Sequence, residues 1–123
     1  MSIQAYQRAS AQGENPRDTE YRVFAAVTAG LIKAKEQTRE HLVEIAAALH
    51  KNRELWSLLA QDCASPENAL PKPVRAQIIS LSMWVSRHTS AVLQTGEDIS
   101  PLIDINRSVM QGLAPAAAAS SAA

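Results

Sequence analysis

LVEIAAALHKNRELWSLLAQDC, Leu42 to Cys63, is the stretch on which the fold turns. Leu42, Ile45, Leu49, Trp56, Leu59 and Cys63 recur at three- and four-residue spacing, which places side chains on one face of an α-helix. Asn52 and Arg53 interrupt that apolar stripe. β-Branched clusters are sparse along the whole chain, and 22 of its 123 residues are alanine. Alanine and unbranched side chains favour helix. With only 4% aromatic residues, the core must be built from Leu, Ile and Val. The expected fold is all-α, a small bundle of four to five helices.

Working outward, the segment before this helix begins at Asn15. Asn15 suits an N-cap and Pro16 the first helical position, where a missing N–H is harmless. Asp18 and Glu20 then fall in the first turn, where carboxylates favour the helix dipole. Val23, Phe24, Val27 and Leu31 form one face of a helix running to about Ala34. Lys35 to Arg39 reads either as a turn or as the middle of one longer helix; Thr38 as a cap favours the turn. Further upstream, Ser2 to Ala11 can form a short helix with Ile3 and Tyr6 on one side, ending at Gly13.

Downstream, ASPENALPKP, Ala64 to Pro73, carries three prolines and reads as a loop. A third helix starts near Pro73, with Val74, Ile78, Leu81, Val85 and Val92 inside and Gly96 closing it. Ser100 caps a last helix, Pro101 takes its first position, and Gly112 stops it. Residues 1–113 form a single helical domain on this reading. Residues 114–123, Ala/Ser-rich and without bulky side chains, read as a disordered tail.

Composition narrows the function classes. Twelve basic residues balance twelve acidic ones, so salt-driven capture of nucleic acid has little support. Cys63 is the only cysteine, which excludes an intrachain disulfide and fits a reducing compartment. The N-terminus lacks the apolar core of a signal peptide, and no run approaches a membrane span. A cytoplasmic protein is expected. No phosphate loop, paired-cysteine or metalloprotease motif occurs. His41 and His50 do not share a helix face, so no metal site and no cofactor are expected. The enzyme class is set aside.

The informative residues are polar ones on apolar arcs. Asn106 lies in the middle of the arc made by Leu102, Ile103, Ile105, Val109, Met110 and Leu113. An amide there reads as a packing lock or a partner contact rather than a catalyst. Asn52 and Asn106 are expected to satisfy each other or nearby backbone where the last helix docks on the second. On that expectation Asn106→Leu leaves the fold intact, or stabilises it, while loosening its register. Arg53 either lays its stem on apolar surface or pairs with Asp62 or Asp104, and His88 reads as a core histidine. Trp56 and Trp84 are expected in the core, although tryptophan also suits binding hot spots. Ile79 and Met83 lie opposite the inner face of the third helix, and Leu55 and Leu58 do so on the second. They are either covered by other helices or form an apolar groove for a partner helix.

Four blocks carry a resemblance: NPRDTEYRVFAAVT from Asn15, NRELWSLLAQD from Asn52, NALPKPVRAQIISLSMWVSRHTSAVL from Asn68, and PLIDINRSVMQGL from Pro101. Together, in this order, they resemble the FlaF family of flagellar biosynthesis regulators of alphaproteobacteria. The resemblance implies a small cytoplasmic, non-enzymatic protein that supports flagellin production and secretion as a chaperone or secretion factor, alongside an FlbT-type regulator. The alternative it leaves open is post-transcriptional regulation of flagellin synthesis with FlbT on flagellin mRNA, drawing on a basic face from Arg17, Arg22, Arg75 and Arg87. The family offers no catalytic residues. Its motif residues here, Arg53, Trp56, Arg75, Trp84, Arg87, His88 and Asn106, join Ile79 and Met83 as candidates for folding or for flagellin contact.

Overall fold

A computed structural model describes residues 16–113. The expected helix at Ser2–Ala11 and the expected tail at 114–123 lie outside the described residues. Among the described residues there are four helices: α1 (Pro16–Lys35), α2 (Leu42–Ala64), α3 (Lys72–Thr95) and α4 (Ser100–Leu113), with a short 3-10 turn at Arg39–His41. No strand occurs among the described residues. The expected small all-α bundle is what the chain forms.

Lys35–Arg39 breaks the helix. The amides of Glu36 and Gln37 fall back on the carbonyls of Lys33 and Ala34. The chain then turns at Thr38, whose hydroxyl donates to Glu40 Oε1 (2.9 Å). Thr38 therefore precedes the 3-10 turn and makes no side-chain cap, and α2 proper starts at Leu42.

α2 is the organising element. It packs against α1 on one side and most extensively against α3 on the other, while α4 lies along α1 and touches α3 little. The core between them holds Phe24, Leu31, Leu49, Trp56, Val85, Leu102 and Ile103, all nearly or completely buried. Phe24 meets Trp56 edge to face, ring centroids 5.9 Å apart, an arrangement that suits the ring quadrupoles.

Helix ends explain two misplaced core residues. Periodicity puts Leu42 and Val74 on inner faces, but each is 40% exposed. Both sit in the first turn of their helix. The end of α2 is closed by Arg75, whose Nε donates to the Cys63 carbonyl (2.7 Å) and Nη2 to the Ser65 carbonyl (3.0 Å). A cation on these otherwise unpaired carbonyls also offsets the negative end of the helix dipole. α3 ends at Gly96, whose φ of 71° is left-handed. Its amide reaches the Val92 carbonyl, and that of Glu97 the Ala91 carbonyl, closing the helix as a left-handed glycine does.

The start of α4 differs from expectation. Ser100 is already helical, and Asp98 supplies the cap: its Oδ1 accepts the Ser100 amide (2.9 Å).

Candidate functional site

The two flanks of α4 have different chemistry. On one, Asn106 is fully buried. Its Oδ1 accepts the indole N–H of Trp56 (2.8 Å). Its amide nitrogen donates to Asn52 Oδ1 (2.8 Å) and to Thr28 Oγ1 (3.1 Å). The Thr28 hydroxyl in turn points to Met110 Sδ (3.7 Å). One amide thus uses both hydrogens and its oxygen to join α1, α2 and α4. The expected Asn52–Asn106 pairing forms; Trp56 and Thr28 complete it. The Asn52 amide nitrogen lacks a partner among the described residues, so the network carries one unpaired donor at its edge.

This changes the expectation for Asn106→Leu. The substitution strands a buried indole N–H and the Asn52 oxygen, and an orphaned buried group costs about 1–3 kcal/mol. Destabilisation follows, rather than an intact fold with looser register. Trp56 and Asn106, both without exposed surface, are core residues that a partner could meet only if the bundle opened.

The other flank is a seam between α4 and α3. At about 100° per residue, Met110 and Ile103 fall on the side of α4 turned to α1, as the Thr28–Met110 contact requires. Ile105 and Val109 fall on the opposite side. On α3, Leu81 and Trp84 share a side with His88, which reaches toward the start of α4: its ring Nε2 lies 2.6 Å from the Asp98 carbonyl and donates to it. Leu81, Trp84, Ile105 and Val109 are all only half-buried against the core. These four apolar side chains mark the seam, and His88 ties α3 to the start of α4 at one end of it.

His88 is therefore no core histidine. It is half-buried, and it stacks on Trp84 with centroids 5.0 Å apart and 12° between planes. Trp84 is likewise half-buried rather than inside. The Asp98 carboxyl is held below its ordinary range, first by the Ser100 amide and then by the Ser100 hydroxyl.

The remaining candidates separate by location. Arg53 reaches Ser90 Oγ (3.4 Å) on α3, not Asp62 or Asp104. Arg75 is committed to the end of α2. Arg87 is exposed. Met83, 57% exposed, and half-buried Ile79 lie on the outer side of α3, about 100° round from Trp84. They do not line the seam. The second apolar side of α2 is largely covered, with Leu55 buried and Leu58 half-buried. Sequence reading missed the partial exposure of Ile105 and Val109, because both belong to an arc that looked fully internal. It also missed Thr28, a small hydroxyl beside the main apolar stripe of α1.

Other features offer less. A shallow groove of about 320 Å³ between α1 and α2 is floored by Ala26, Gly30, Ala47 and Ala48 and rimmed by Lys33, Glu44 and Lys51. Cys63 is buried; burial and then Asp62 push its thiol up, with Arg75 opposing. Among the described residues, no three His, Cys, Asp or Glu side chains cluster as a metal site, and no helix is long and apolar enough to cross a membrane.

No curated protein and no solved structure matches the chain. A family model described as flagellar protein FlaF matches residues 2–113.

Proposed function

The chain belongs to the flagellar protein FlaF family, and from that premise we propose that it acts without catalysis by holding an amphipathic helix of flagellin in the α3–α4 seam before export. The observation that carries the reading is the seam itself. Leu81, Trp84, Ile105 and Val109 remain half-buried because α4 leans on α1. A helix laid along such a strip offers side chains at i, i+3, i+4 and i+7 to it. Ordering the client offsets part of the contact energy, so the affinity is moderate and release remains feasible. Met83 and Arg87, on the neighbouring exposed surface of α3, would form the rim of a longer contact.

An mRNA-binding role draws less support. It relies on arginines that include Arg75, whose guanidinium is tied to two carbonyls, in a chain of zero formal net charge. We propose an FlbT-type regulator as a second protein partner.

Calorimetry of the purified protein with flagellin, at low and high salt, tests the proposal. Micromolar binding that persists at high salt and falls at least tenfold in Val109→Glu, with helix content retained, is the expected result. Absence of binding to competent flagellin overturns it. RNA binding that collapses as salt rises moves the function to the message.

A further inference from the structure

We propose that the loop tip Leu70–Val74 of one molecule docks in the α1–α2 groove of a second copy, so that the chain self-associates head to tail. This goes beyond client binding and does not depend on it, because neither the seam nor α4 takes part.

The tip belongs to the α2–α3 connection, which hydrogen bonds fasten at several points. The Asn68 side-chain nitrogen donates to Asp62 Oδ2 (3.3 Å), and Asn68 Oδ1 accepts the Leu70 amide (2.9 Å). The Glu67 amide donates to Ser65 Oγ (3.3 Å), and Arg75 holds the Cys63 and Ser65 carbonyls. What this fastened loop displays is apolar. Leu70 is 43% and Val74 40% exposed, with Pro71 and Pro73 exposed beside them. A surface already held in one shape loses little entropy when it docks. Glu67 and Lys72, both exposed, flank Leu70 on either side.

The acceptor is the groove of about 320 Å³ between α1 and α2. Gly30 lines it from the interior of α1, where glycine weakens a helix. Its φ is not left-handed, and a Cβ there would meet nothing within 4 Å, so no contact inside the fold calls for a glycine. The room it leaves belongs to the groove. Glu44 and Lys51 rim the α2 side and Lys33 the α1 side; seven residues of helix put Glu44 and Lys51 about 10 Å apart. Among the described residues, none of Lys33, Glu44, Lys51, Glu67 and Lys72 forms an ion pair. The acid and the base beside Leu70 would meet the opposite charges, Lys51 and Glu44, at the two ends of the groove.

A molecule cannot fill its own groove. Lys51 stands thirteen residues before the end of α2 at Ala64, about 20 Å along the helix, and the loop is fastened at that end. A second copy brings both the apolar tip and the matching charges. Because tip and groove are different surfaces, the contact repeats from copy to copy and does not stop at a dimer. It is smaller than the roughly 800 Å² per partner of a stable interface, so association is weak.

Sedimentation of the full chain tests this. Between about 10 μM and about 1 mM, the mean mass should rise from the 13.3 kDa of one chain past that of a dimer. Leu70→Asp removes the tip, and Gly30→Gln fills the groove while improving the helix. Each variant alone should stay monomeric with its helix content intact, and Gly30→Gln should melt no lower than wild type. Mixed, the two should form a one-to-one dimer that grows no further, because each keeps one working surface. Lys51→Glu should weaken association several-fold, and adding Glu67→Lys should restore it. Should Leu70→Asp lose helix content, Leu70→Ser is read by the same criteria. A wild-type chain that stays monomeric throughout overturns the proposal and leaves the groove to another protein. Association that survives both variants, or folded variants whose mixture stays monomeric, overturns it as well.

Discussion

The two flanks of α4 are made from one fourteen-residue helix yet obey different rules. Toward α1 and α2, Asn106 closes a buried network in which each of its hydrogens and its oxygen has a partner. Toward α3, Ile105 and Val109 stay half-buried with little of α3 against them. The first flank is directional: an amide, an indole and a hydroxyl accept few geometries, so the helix is fixed in rotation and register. The second is apolar, and apolar contact is non-directional. It can be exchanged for another helix of similar shape without stranding a polar group. A helix locked on one side is thereby free to present the other.

The sharpest way to break the comparison is to remove the lock. Asn106→Leu should lower stability by about 2–4 kcal/mol in urea denaturation, through the stranded Trp56 and Asn52 groups. Trp56→Phe, which removes the donor but keeps much of the ring, should lose less. If Asn106→Leu is neutral, the network does not fix α4 and the contrast between flanks fails.

On the seam, Val109→Ser should cost about 1 kcal/mol, as befits a half-buried side chain, while weakening flagellin binding more than Asn106→Ser does among the folded molecules. A stability loss equal to that of the lock would show the seam to be core. The clasped end of the seam gives the next effect. Gly96→Ala forces a Cβ into a left-handed backbone, at a cost of about 1 kcal/mol. The added Cβ would meet nothing nearer than Arg39 Nη1 at 4.0 Å, so strain alone sets the loss, and thermal unfolding measures it.

How legible this was depended on the kind of signal. Helical periodicity identified all four described helices, and it flagged Asn52 and Asn106 because an amide among leucines violates the pattern. It could not supply Thr28, since a threonine beside an apolar stripe violates nothing. Leu42 and Val74 satisfy the periodicity and are still 40% exposed, because periodicity fixes which face a residue takes and not how much of the fold covers it. His88 departs from its expected place for a related reason. Its wheel position is internal, yet α4 inclines toward α1 and touches α3 little, and the inclination is a property of the assembled bundle. The seam follows from the same inclination, so it is visible in sequence only as residues that look buried.

The smallest predicted effect concerns the clasp at Asp98. Its carboxylate accepts the Ser100 amide at the start of α4 and is held below its ordinary range for that reason first. A folded-state pKa below the unfolded one means that the ionised form binds protons less readily when folded. Its contribution is complete above the unfolded carboxylate range, near pH 4, and is lost as pH falls through the lower folded value. The side chain is exposed, so the effect belongs to the helix start rather than to global stability. The Ser100 amide resonance should therefore titrate with a midpoint below that of an unstructured aspartate, and Asp98→Ala should abolish the transition. Because His88 donates to the backbone carbonyl of the same residue, loosening in acid should spread to the Trp84–His88 stack before it reaches Trp56. Simultaneous loss of both tryptophan signals would mean that clasp and lock are one cooperative unit, and the division between the two flanks of α4 would have to be abandoned.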